Sequence, residues 1–511
     1  MKEACGVFGV YAPGKGVAQL TFDGLYALQH RGQESAGMAV SDCEAITVVK
    51  DMGLVTTVFD ERTVSCLPGD LAIGHTRYST TGDSSWRNAQ PVYRPVGRAG
   101  FALGHNGNLT NTAALAEKAG MLPGVVASDS DLVAELIALA YPHDPADGHY
   151  DAVAEVGEAA DVDDDGVAVA PPPPVTDGRL EQALREVLPQ IEGAFSFVLM
   201  DATQVMGVRD PHGLRPLCLG RLGPEDAPEG WVLASESPAL DVVGARFVRE
   251  LEPGELVVID AMGPRSEHLF PDEQVEPKLC IFEFVYFARP DSRLYGREVH
   301  GARRRMGELL ANQAPVEADM VMGVPESGVP AAEGFARASG IPVGQGLVKN
   351  RYIGRTFITP GQSARADGVR RKLNPLRENI TGKRLVVVDD SIVRGTTQRA
   401  VARMLREAGA TEVHLRISSP PLVWPCFYGI DIPERGDLVA ANMSIPELEA
   451  FLGVDSLAYL SLENLKAAID APGAGFCAAC LTGEYPVAPP FELDLRARDE
   501  RISSSAAPAP A

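Results

Sequence analysis

The sequence predicts an α+β layered domain followed by an α/β domain with a parallel sheet. The chain has 511 residues, more than one hydrophobic core usually serves, so two large domains are expected. Up to about residue 262, short β-branched runs separated by Gly, Asn and Asp turns indicate a β-rich sandwich. From about residue 270, strands alternate with single helices, which is typical of a parallel sheet.

The first domain contains segments with the sequence pattern of strands and segments with the pattern of helices. The segments AFSFVLMDA (194–202) and GELVVIDA (254–261) are predicted strands. The segments LTFDGLYALQH (20–30) and SDLVAELIALAY (130–141) carry apolar residues at helical spacing. Residues 141–178 break this pattern with acids and a four-proline run. This composition cannot bury enough apolar surface to offset ordering, and predicts a disordered insertion.

The second domain reads as strand, turn and helix in repeated order. The segments ADMVMGVP (318–325) and GKRLVVVDD (382–390) are predicted strands, and residues 329–340 and 396–409 are predicted helices. Ligands of such sheets bind beyond the carboxyl ends of the strands. Residues 491–511 are predicted to be a disordered tail.

The net charge of the chain argues against some classes of binding partner. A formal net charge of −23 argues against general binding to nucleic acid or to an anionic membrane. The chain shows neither an apolar run of membrane-spanning length nor a charged-then-apolar leader, so a cytoplasmic protein is expected. Residues 349–372 are the exception, with seven basic residues against one acid, Asp367. This basic island fits either a site for a phosphorylated small molecule or a solvated surface loop.

The stretch LVVVDDSIVRGTT (385–397) is the most specific signal in the chain. Asp389 and Asp390 end a buried strand, where a sugar diol or a divalent cation would relieve their repulsion. Gly395, Thr396 and Thr397 open a helix, whose N-terminal amides favour a phosphate. The pattern predicts a phosphorylated-ribose site; the alternative is a solvated turn with an Asp cap.

A second strand-to-helix turn, GVPESGVPAA (323–332), offers Ser327 and backbone amides to a pyrophosphate. Any such turn looks similar, so this signal alone is weak. With it, Lys349, Arg351 and Arg355 in the basic segment would close over the leaving group as a lid.

Polar loops of the first domain fit recognition of an amino acid. Arg31 and Arg77 are candidates to bind an α-carboxylate, and Asp129 to accept from an α-ammonium. Asn106 and the Gly107 amide are uncharged donors of the kind that an oxyanion hole uses. Taken singly, each loop is more readily explained as a polar turn of a β-rich domain.

Cys5 is the candidate nucleophile. If Met1–Ala4 were removed, Cys5 would carry an α-amine with a reference pKa of about 7.7–8.0, able to take the thiol proton. No separate histidine base is then needed, and His30, His75 and His105 are interpreted as structural. Otherwise Cys5 is the buried edge of a strand.

Together these motifs closely resemble the amidophosphoribosyltransferase family. The resemblance covers about residues 5–485 apart from the insertion, which has no counterpart in the family pattern. It rests on ACGVFG, LQHRGQESAG, GHTRYSTTG, HNGNL and SDSD in the first half, and on FARPDS, GVPESG, KNRYIGRTFI, VRRKLNP and VVVDDSIVRGTT in the second half.

The resemblance implies an N-terminal-nucleophile, αββα-sandwich glutaminase domain of class II over residues 5–262, after a propeptide 1–4. A phosphoribosyltransferase domain follows over residues 270–490. Cys5 would release ammonia from L-glutamine, and the ammonia would displace diphosphate from 5-phosphoribosyl 1-diphosphate. Thr80 joins the glutamine-binding set, and Ser391 and Arg394 join the phosphoribosyl-diphosphate set. Mg²⁺ would lie near Ser327, Asp389 and Asp390.

The resemblance also gives a role to four cysteines, Cys280, Cys426, Cys477 and Cys480. Four thiolates suit zinc or iron–sulfur chemistry, and their spacing does not separate the two. One branch of the family holds a [4Fe-4S] cluster at these positions and also makes a propeptide, so the resemblance favours the cluster. It further implies purine-nucleotide feedback inhibitors and a homotetramer.

Two other functions fit parts of the sequence. Another class II amidotransferase, such as a sugar-phosphate aminating enzyme, would share the Cys5 domain but need a sugar-isomerase module. A regulator that binds the diphosphate without turnover would need no nucleophile.

Overall fold

The computed structural model describes residues 5–78, 85–122, 126–142, 178–350, 372–430, 434–471, 473 and 475–489. The chain divides between Glu276 and Pro277 into two units, each with its own core. The predicted propeptide 1–4 and tail 491–511, and nearly all of the predicted insertion 141–178, lie outside the described residues. Among the described helices none is both long and apolar enough to cross a bilayer.

The first unit contains two antiparallel sheets. Its strands are β1 (Gly6–Tyr11), β2 (Ser35–Ser41), β3 (Ile46–Met52), β4 (Leu71–Arg77), β5 (Val92–Arg94), β6 (Phe101–Leu109), β7 (Gly193–Met200), β8 (Val205–Arg209), β9 (Cys218–Leu222), β10 (Gly230–Ala234), β11 (Arg246–Glu250), β12 (Glu255–Asp260) and β13 (Gly263–His268). One sheet has the order β11-β9-β10-β1-β4-β2-β3, and the other has the order β13-β12-β8-β7-β6-β5. The predicted first domain ended at residue 262, but β13 pairs with β12 and therefore belongs to this unit.

Helices cover the outer face of each sheet. One apolar cluster joins the first sheet to the helix Val17–Ala27, and another joins the second sheet to the helices Asp129–Ala140 and Arg179–Val187. A third cluster, which includes Val7 and Val198, fills the space between the sheets. This is the predicted αββα sandwich, which is confirmed. The other helices of the unit are Val55–Val58, Glu61–Ser65, Thr112–Lys118 and Ser237–Val242, with 3-10 turns at Trp86–Asn88, Leu188–Gln190 and Asp272–Gln274.

The second unit is built on a parallel sheet, as predicted. Its strands are β14 (Leu279–Cys280), β15 (Arg293–Leu294), β16 (Arg297–Glu298), β17 (Met320–Gly323), β18 (Leu347–Lys349), β19 (Leu373–Pro375), β20 (Arg384–Asp389), β21 (Glu412–Ile417), β22 (Ser456–Tyr459) and β23 (Phe476–Cys477). The sheet has the order β17-β20-β21-β22, and all its pairs are parallel. Three two-stranded pairs, β14–β23, β15–β16 and β18–β19, complete the strands described here.

Helices connect the parallel strands. The helices are Val299–Gln313, Val329–Ser339, Arg377–Ile380, Thr396–Glu407, Val439–Asn442, Ile445–Leu452, Leu462–Ile469 and Ala479–Thr482, with a π-helical turn at Glu283–Phe287 and a 3-10 turn at Arg435–Asp437. Gly323 at the end of β17 pairs with Val388 in β20. Because the strands are parallel and adjacent, the loops that follow them meet at one edge of the sheet, where ligands of such sheets bind.

Candidate active sites

The Cys5 thiol is buried directly ahead of β1, the middle strand of its sheet. The side chain is 8% exposed, and its Sγ donates to the carbonyl oxygen of Tyr78 at 3.5 Å. Burial raises the pKa of the Cys5 thiol, and the nearby Asp129 raises it further, while the Tyr78 bond and Arg77 act in the opposite direction. The thiol therefore needs a base to become a nucleophile at neutral pH.

The backbone of Cys5 is held by Arg31. The Arg31 Nε donates to the Cys5 carbonyl oxygen at 3.0 Å, and its Nη1 pairs with Glu236. The sequence predicted that Arg31 binds the substrate carboxylate. Its guanidinium is 1% exposed and contacts Cys5 and Glu236 in this structure, and its binding of the substrate carboxylate stays a prediction.

Asn106 and Gly107 lie side by side on β6. Asn106 is fully buried, yet neither its amide nitrogen nor its amide oxygen has a hydrogen-bond partner among the described residues. A buried amide without a partner costs free energy unless a ligand satisfies it, so this side chain fits the predicted oxyanion role. Gly107 has φ +152°, and a Cβ there would lie 2.0 Å from the Ala194 carbonyl oxygen, so only glycine fits.

Asp129 begins the helix Asp129–Ala140 and reaches the end of β6. Its carboxylate accepts from the Ser130 amide at 2.7 Å and from the Leu109 amide at 3.3 Å. Behind it, the Ser130 hydroxyl lies 3.1 Å from the Nδ1 of His105 and accepts from the Gln90 amide at 3.1 Å. These bonds fix the strand that carries Asn106 relative to the helix that carries Asp129. The sequence analysis did not single out Gln90, which lies in none of the motifs, or Ser130, which lies within SDSD beside the candidate Asp129.

The three histidines near Cys5 occupy structural positions. His75 is fully buried, its Nε2 lies 2.9 Å from the His105 carbonyl oxygen, and burial lowers the pKa of His75 to about 3. Burial also lowers the pKa of His105, whose Nε2 lies 3.3 Å from the Ala194 carbonyl oxygen. The His30 Nε2 contacts Glu236 at 2.7 Å. These contacts support the interpretation that none of the three is the base for Cys5.

Arg77 ends β4 with its side chain buried, 3.7 Å from the Glu34 carboxylate. Its charge lies close enough to Cys5 to lower the pKa of the thiol. Arg77 therefore stays a candidate to bind the carboxylate of the substrate. Thr80 of the same predicted set lies outside the described residues.

In the second unit, Asp389 and Asp390 lie at the carboxyl end of β20, and both are buried. Burial, and next the charge of Asp390, raise the pKa of Asp389 well above its usual range. Gln398, which the sequence did not single out, donates to Asp389 at 3.0 Å and to the Ser391 carbonyl oxygen at 2.9 Å. In the described part of the chain, no cation pairs with either carboxylate. Two crowded buried carboxylates fit a ligand that brings hydroxyl groups or a metal ion.

The turn after β17 packs against this acid pair. The Val324 amide donates to the Val388 carbonyl oxygen at 2.8 Å, and a Cβ at Gly328 would lie 2.3 Å from that same oxygen. Ser327, which precedes Gly328, is partly exposed. Lys349 ends β18 and contacts Glu326 of this turn at 3.2 Å, so an ammonium group stands beside the predicted diphosphate loop.

The predicted phosphate cradle begins the helix Thr396–Glu407. Gly395 precedes it with φ +68°, and the Thr396 and Thr397 side chains are exposed at its first turn. Their amides lie where a helix leaves its N–H groups without intrahelical partners. Arg394 contacts Asp437 at 3.0 Å in an exposed pair. Arg351 and Arg355 lie outside the described residues.

The four cysteines singled out by the resemblance are neighbours. Cys280 of β14 pairs with Cys477 of β23, and the Cys480 carbonyl oxygen accepts from the Val423 and Trp424 amides, just before Cys426. Burial raises the pKa of the Cys480 thiol well above its usual range, and the other three thiols raise it further. All four are present as thiols. In the described ranges, however, no three Cys, His, Asp or Glu side chains converge at metal-binding distance.

The chain is similar to known proteins over nearly its whole length. A family model described as "Phosphoribosyl transferase domain" matches residues 296–418. The amidophosphoribosyltransferase of Mycobacterium tuberculosis (strain H37Rv) is 52% identical over 507 residues, covering 97% of this chain and 88% of that protein. The glutamine phosphoribosylpyrophosphate amidotransferase from B. subtilis, solved with ADP and GMP, is 42% identical, with a TM-score of 0.80 over 95% of this chain and 98% of that one. A structure described as the allosteric regulatory enzyme of purine biosynthesis is also 42% identical, with a TM-score of 0.81 over 95% of this chain and 96% of that one.

Proposed function

The chain belongs to the amidophosphoribosyltransferase family, and from this membership we propose that it makes 5-phosphoribosylamine from glutamine and 5-phosphoribosyl 1-diphosphate. Glutamate and diphosphate are the other products, and the reaction opens purine synthesis. The observation that carries the proposal is that one unit holds a buried cysteine and a buried Asn106 amide with no partner among the described residues, while the other unit holds a buried acid pair packed against the turn after β17. Glutamine-dependent release of equal amounts of glutamate and diphosphate by the purified chain tests it.

Cys5 is proposed as the nucleophile, with its own α-amine as the base once the chain starts there. The amine takes the thiol proton, and the sulfur attacks the carboxamide carbon. The Asn106 amide and the Gly107 N–H would stabilise the oxyanion. The protonated amine then gives its proton to the departing ammonia, which leaves a glutamyl thioester that water hydrolyses.

Substrate recognition completes this half-reaction. Arg77 and Asp129 are proposed to hold the carboxylate and the ammonium of glutamine, and Thr80 belongs to the same proposed set. A specific amino acid then reaches Cys5 in a fixed orientation, which is where much of the rate of such a step comes from.

In the other unit, Asp389 and Asp390 are proposed to hold the ribose hydroxyls. Ser391 and the amides from Gly395 to Thr397 would hold the 5′-phosphate, with Arg394 at the rim of the loop. Ser327, Lys349, Arg351 and Arg355 would hold the diphosphate. Ammonia attacks C1 of the ribose, and the C1–oxygen bond to diphosphate breaks. Mg²⁺ fits the crowded carboxylates and, held near Ser327, Asp389 and Asp390, would neutralise charge on the leaving diphosphate.

A variant of Asn106 tests the oxyanion assignment. In Asn106→Ala, glutamine-dependent turnover is expected to fall by about 10²–10³, because one oxyanion donor is lost. Ammonia-dependent synthesis should remain, since it does not use this side chain. Asn108→Ala, two residues along the same strand but partly exposed, is the matched control and should keep near-normal turnover. Glutamate release by Asn106→Ala within twofold of the parent would contradict the assignment.

We further propose that Cys280, Cys426, Cys477 and Cys480 hold a [4Fe-4S] cluster. The pairing of Cys280 with Cys477 brings two of these residues onto adjacent strands, and a cluster would tie β14 and β23 to the segment before Cys426. Protein purified without oxygen is expected to contain four iron atoms and four acid-labile sulfides per chain, the stoichiometry of a [4Fe-4S] cluster. Replacing Cys477 by serine should lower both contents, whereas Cys66→Ser, an exposed cysteine in the other unit, should leave them unchanged. Stoichiometric zinc without sulfide would refute the cluster.

Two further proposals concern the regulation and the assembly of the chain. The B. subtilis structure contains ADP and GMP, and we propose that purine nucleotides inhibit this chain also. The family resemblance of the sequence implies a homotetramer, and we propose this assembly, in the cytoplasm, for the chain.

A further inference from the structure

We propose that Glu236 is a positioning residue for the glutamine half-reaction, acting on Cys5 through Arg31. The inference rests on the proposed function and adds to it a residue that no sequence motif identified. Glu236 follows β10, the strand beside β1, and its side chain is completely buried.

The two strands place Glu236 close to the nucleophile. The Ser235 amide donates to the Val7 carbonyl oxygen at 3.0 Å, and the Val7 amide donates to the Ser235 hydroxyl at 2.9 Å. These two hydrogen bonds hold Ser235, which precedes Glu236, against Val7, which lies two positions after Cys5. The end of β10 and the start of β1 therefore move as one piece.

The Glu236 carboxylate contacts a guanidinium and an imidazole. It accepts from the Arg31 Nη1, and the same oxygen lies 2.7 Å from the His30 Nε2. The other ring nitrogen of His30 lies 3.2 Å from the Ala27 carbonyl oxygen, at the end of the helix Val17–Ala27. Glu236 thus connects this helix, Arg31 and the two central strands.

Arg31 connects Glu236 to the backbone of Cys5. Its Nε donates to the Cys5 carbonyl oxygen at 3.0 Å. The direction of that carbonyl fixes the rotation about the Cα–C bond of Cys5, and with it the directions of the thiol and of the α-amine. The Arg31 guanidinium is 1% exposed and stays charged, and a buried charge is costly unless it is paired, so the Glu236 carboxylate both compensates this charge and orients the group. Without Glu236, Arg31 would lose that partner, and the thiol and its base would lose their fixed geometry.

The test compares Glu236→Gln with Glu229→Gln. Glutamine keeps the size of Glu236 but removes its charge, and kcat for glutamine-dependent synthesis is expected to fall on the order of 10- to 100-fold, as small misplacements of reacting groups do. The KM for glutamine should change much less, and ammonia-dependent synthesis should be unchanged. Alkylation of Cys5 by iodoacetamide should slow in parallel with kcat. Glu229 pairs with Lys15 at the surface just before β10, and its variant should match the parent in all four measurements.

The outcomes separate the inference from the proposed function. Full glutamine-dependent kcat in Glu236→Gln, with Cys5→Ser inactive toward glutamine, would overturn the role of Glu236 and leave the function standing. Full activity in both variants would overturn the function itself. If Glu236→Gln also loses ammonia-dependent synthesis, Arg31→Lys decides: it keeps a charge for Glu236 but has no Nε donor, and is expected to lower kcat with little change in KM. Parental kcat in Arg31→Lys would overturn the inference.

Discussion

Cys5→Ser is expected to abolish glutamine-dependent synthesis while leaving ammonia-dependent synthesis near the parental rate. A serine hydroxyl is a far weaker acid than a thiol, and burial already raises the pKa of the thiol that it replaces, so the α-amine of this site is expected to activate the hydroxyl far less than the thiol. The residues proposed for the second half-reaction lie in the Pro277–Ala511 unit and keep their structure. Glutamate release and diphosphate release, each measured with glutamine and with ammonium, give the result.

The matched control is Cys218→Ser. Cys218 is also buried in the first unit, and burial raises the pKa of its thiol too, but it donates to the Ala234 carbonyl oxygen within β9 and β10. Its variant is expected to keep glutamine-dependent turnover. The intact mass of the parent protein shows whether the α-amine lies on Cys5. Full glutamine-dependent turnover in Cys5→Ser would refute the nucleophile assignment.

The fold was predictable because its signals are local. Alternation at a period of two marks strands, apolar spacing of three and four marks helices, and the order in which they occur separates the sandwich from the parallel sheet. The acid pair at Asp389 was predictable for the same reason, since the strand, the loop and the helix that form its site are consecutive. The start of a phosphate-binding helix carries its signal in adjacent residues.

Much of the support around the sites was not predictable from one sequence. Glu236 lies 205 positions from Arg31, and their pairing depends on which strands are neighbours in the sheet. Gln90 and Ser130, whose hydrogen bond lies next to Asp129, are 40 positions apart, and although Ser130 lies within SDSD, nothing in the sequence indicates that Gln90 is its partner. The sequence therefore predicts residue types that suit a reaction, whereas it does not reveal that Arg31 donates to the Cys5 carbonyl oxygen and pairs with Glu236.

The double variant Asp389→Asn/Asp390→Asn is expected to lose synthesis with either nitrogen source while keeping a competent glutaminase site. Neutral amides cannot attract Mg²⁺ or accept from two ribose hydroxyls as carboxylates do. Synthesis is measured as diphosphate release, and the glutaminase site as the rate of Cys5 alkylation by iodoacetamide. Unchanged diphosphate release would refute the ribose site, and Asp319→Asn, at the opposite edge of the same sheet, should leave synthesis intact.

In the absence of substrate, the charges of Asp389 and Asp390 are expected to lower the free energy of unfolding. Because the pKa of Asp389 is raised in the folded state, folding favours its protonated form. The stability that the protonated form provides at low pH is lost as the pH rises through the folded-state pKa. At neutral pH the double variant is therefore expected to melt at a higher temperature than the parent when neither contains substrate. Mg²⁺ with 5-phosphoribosyl 1-diphosphate should raise the melting temperature of the parent and leave that of the variant unchanged, because only the parent binds the pair. A variant that melts lower and still gains stability from both ligands would contradict the assignment. The carboxylates would then serve the fold, and the ribose would have to bind elsewhere.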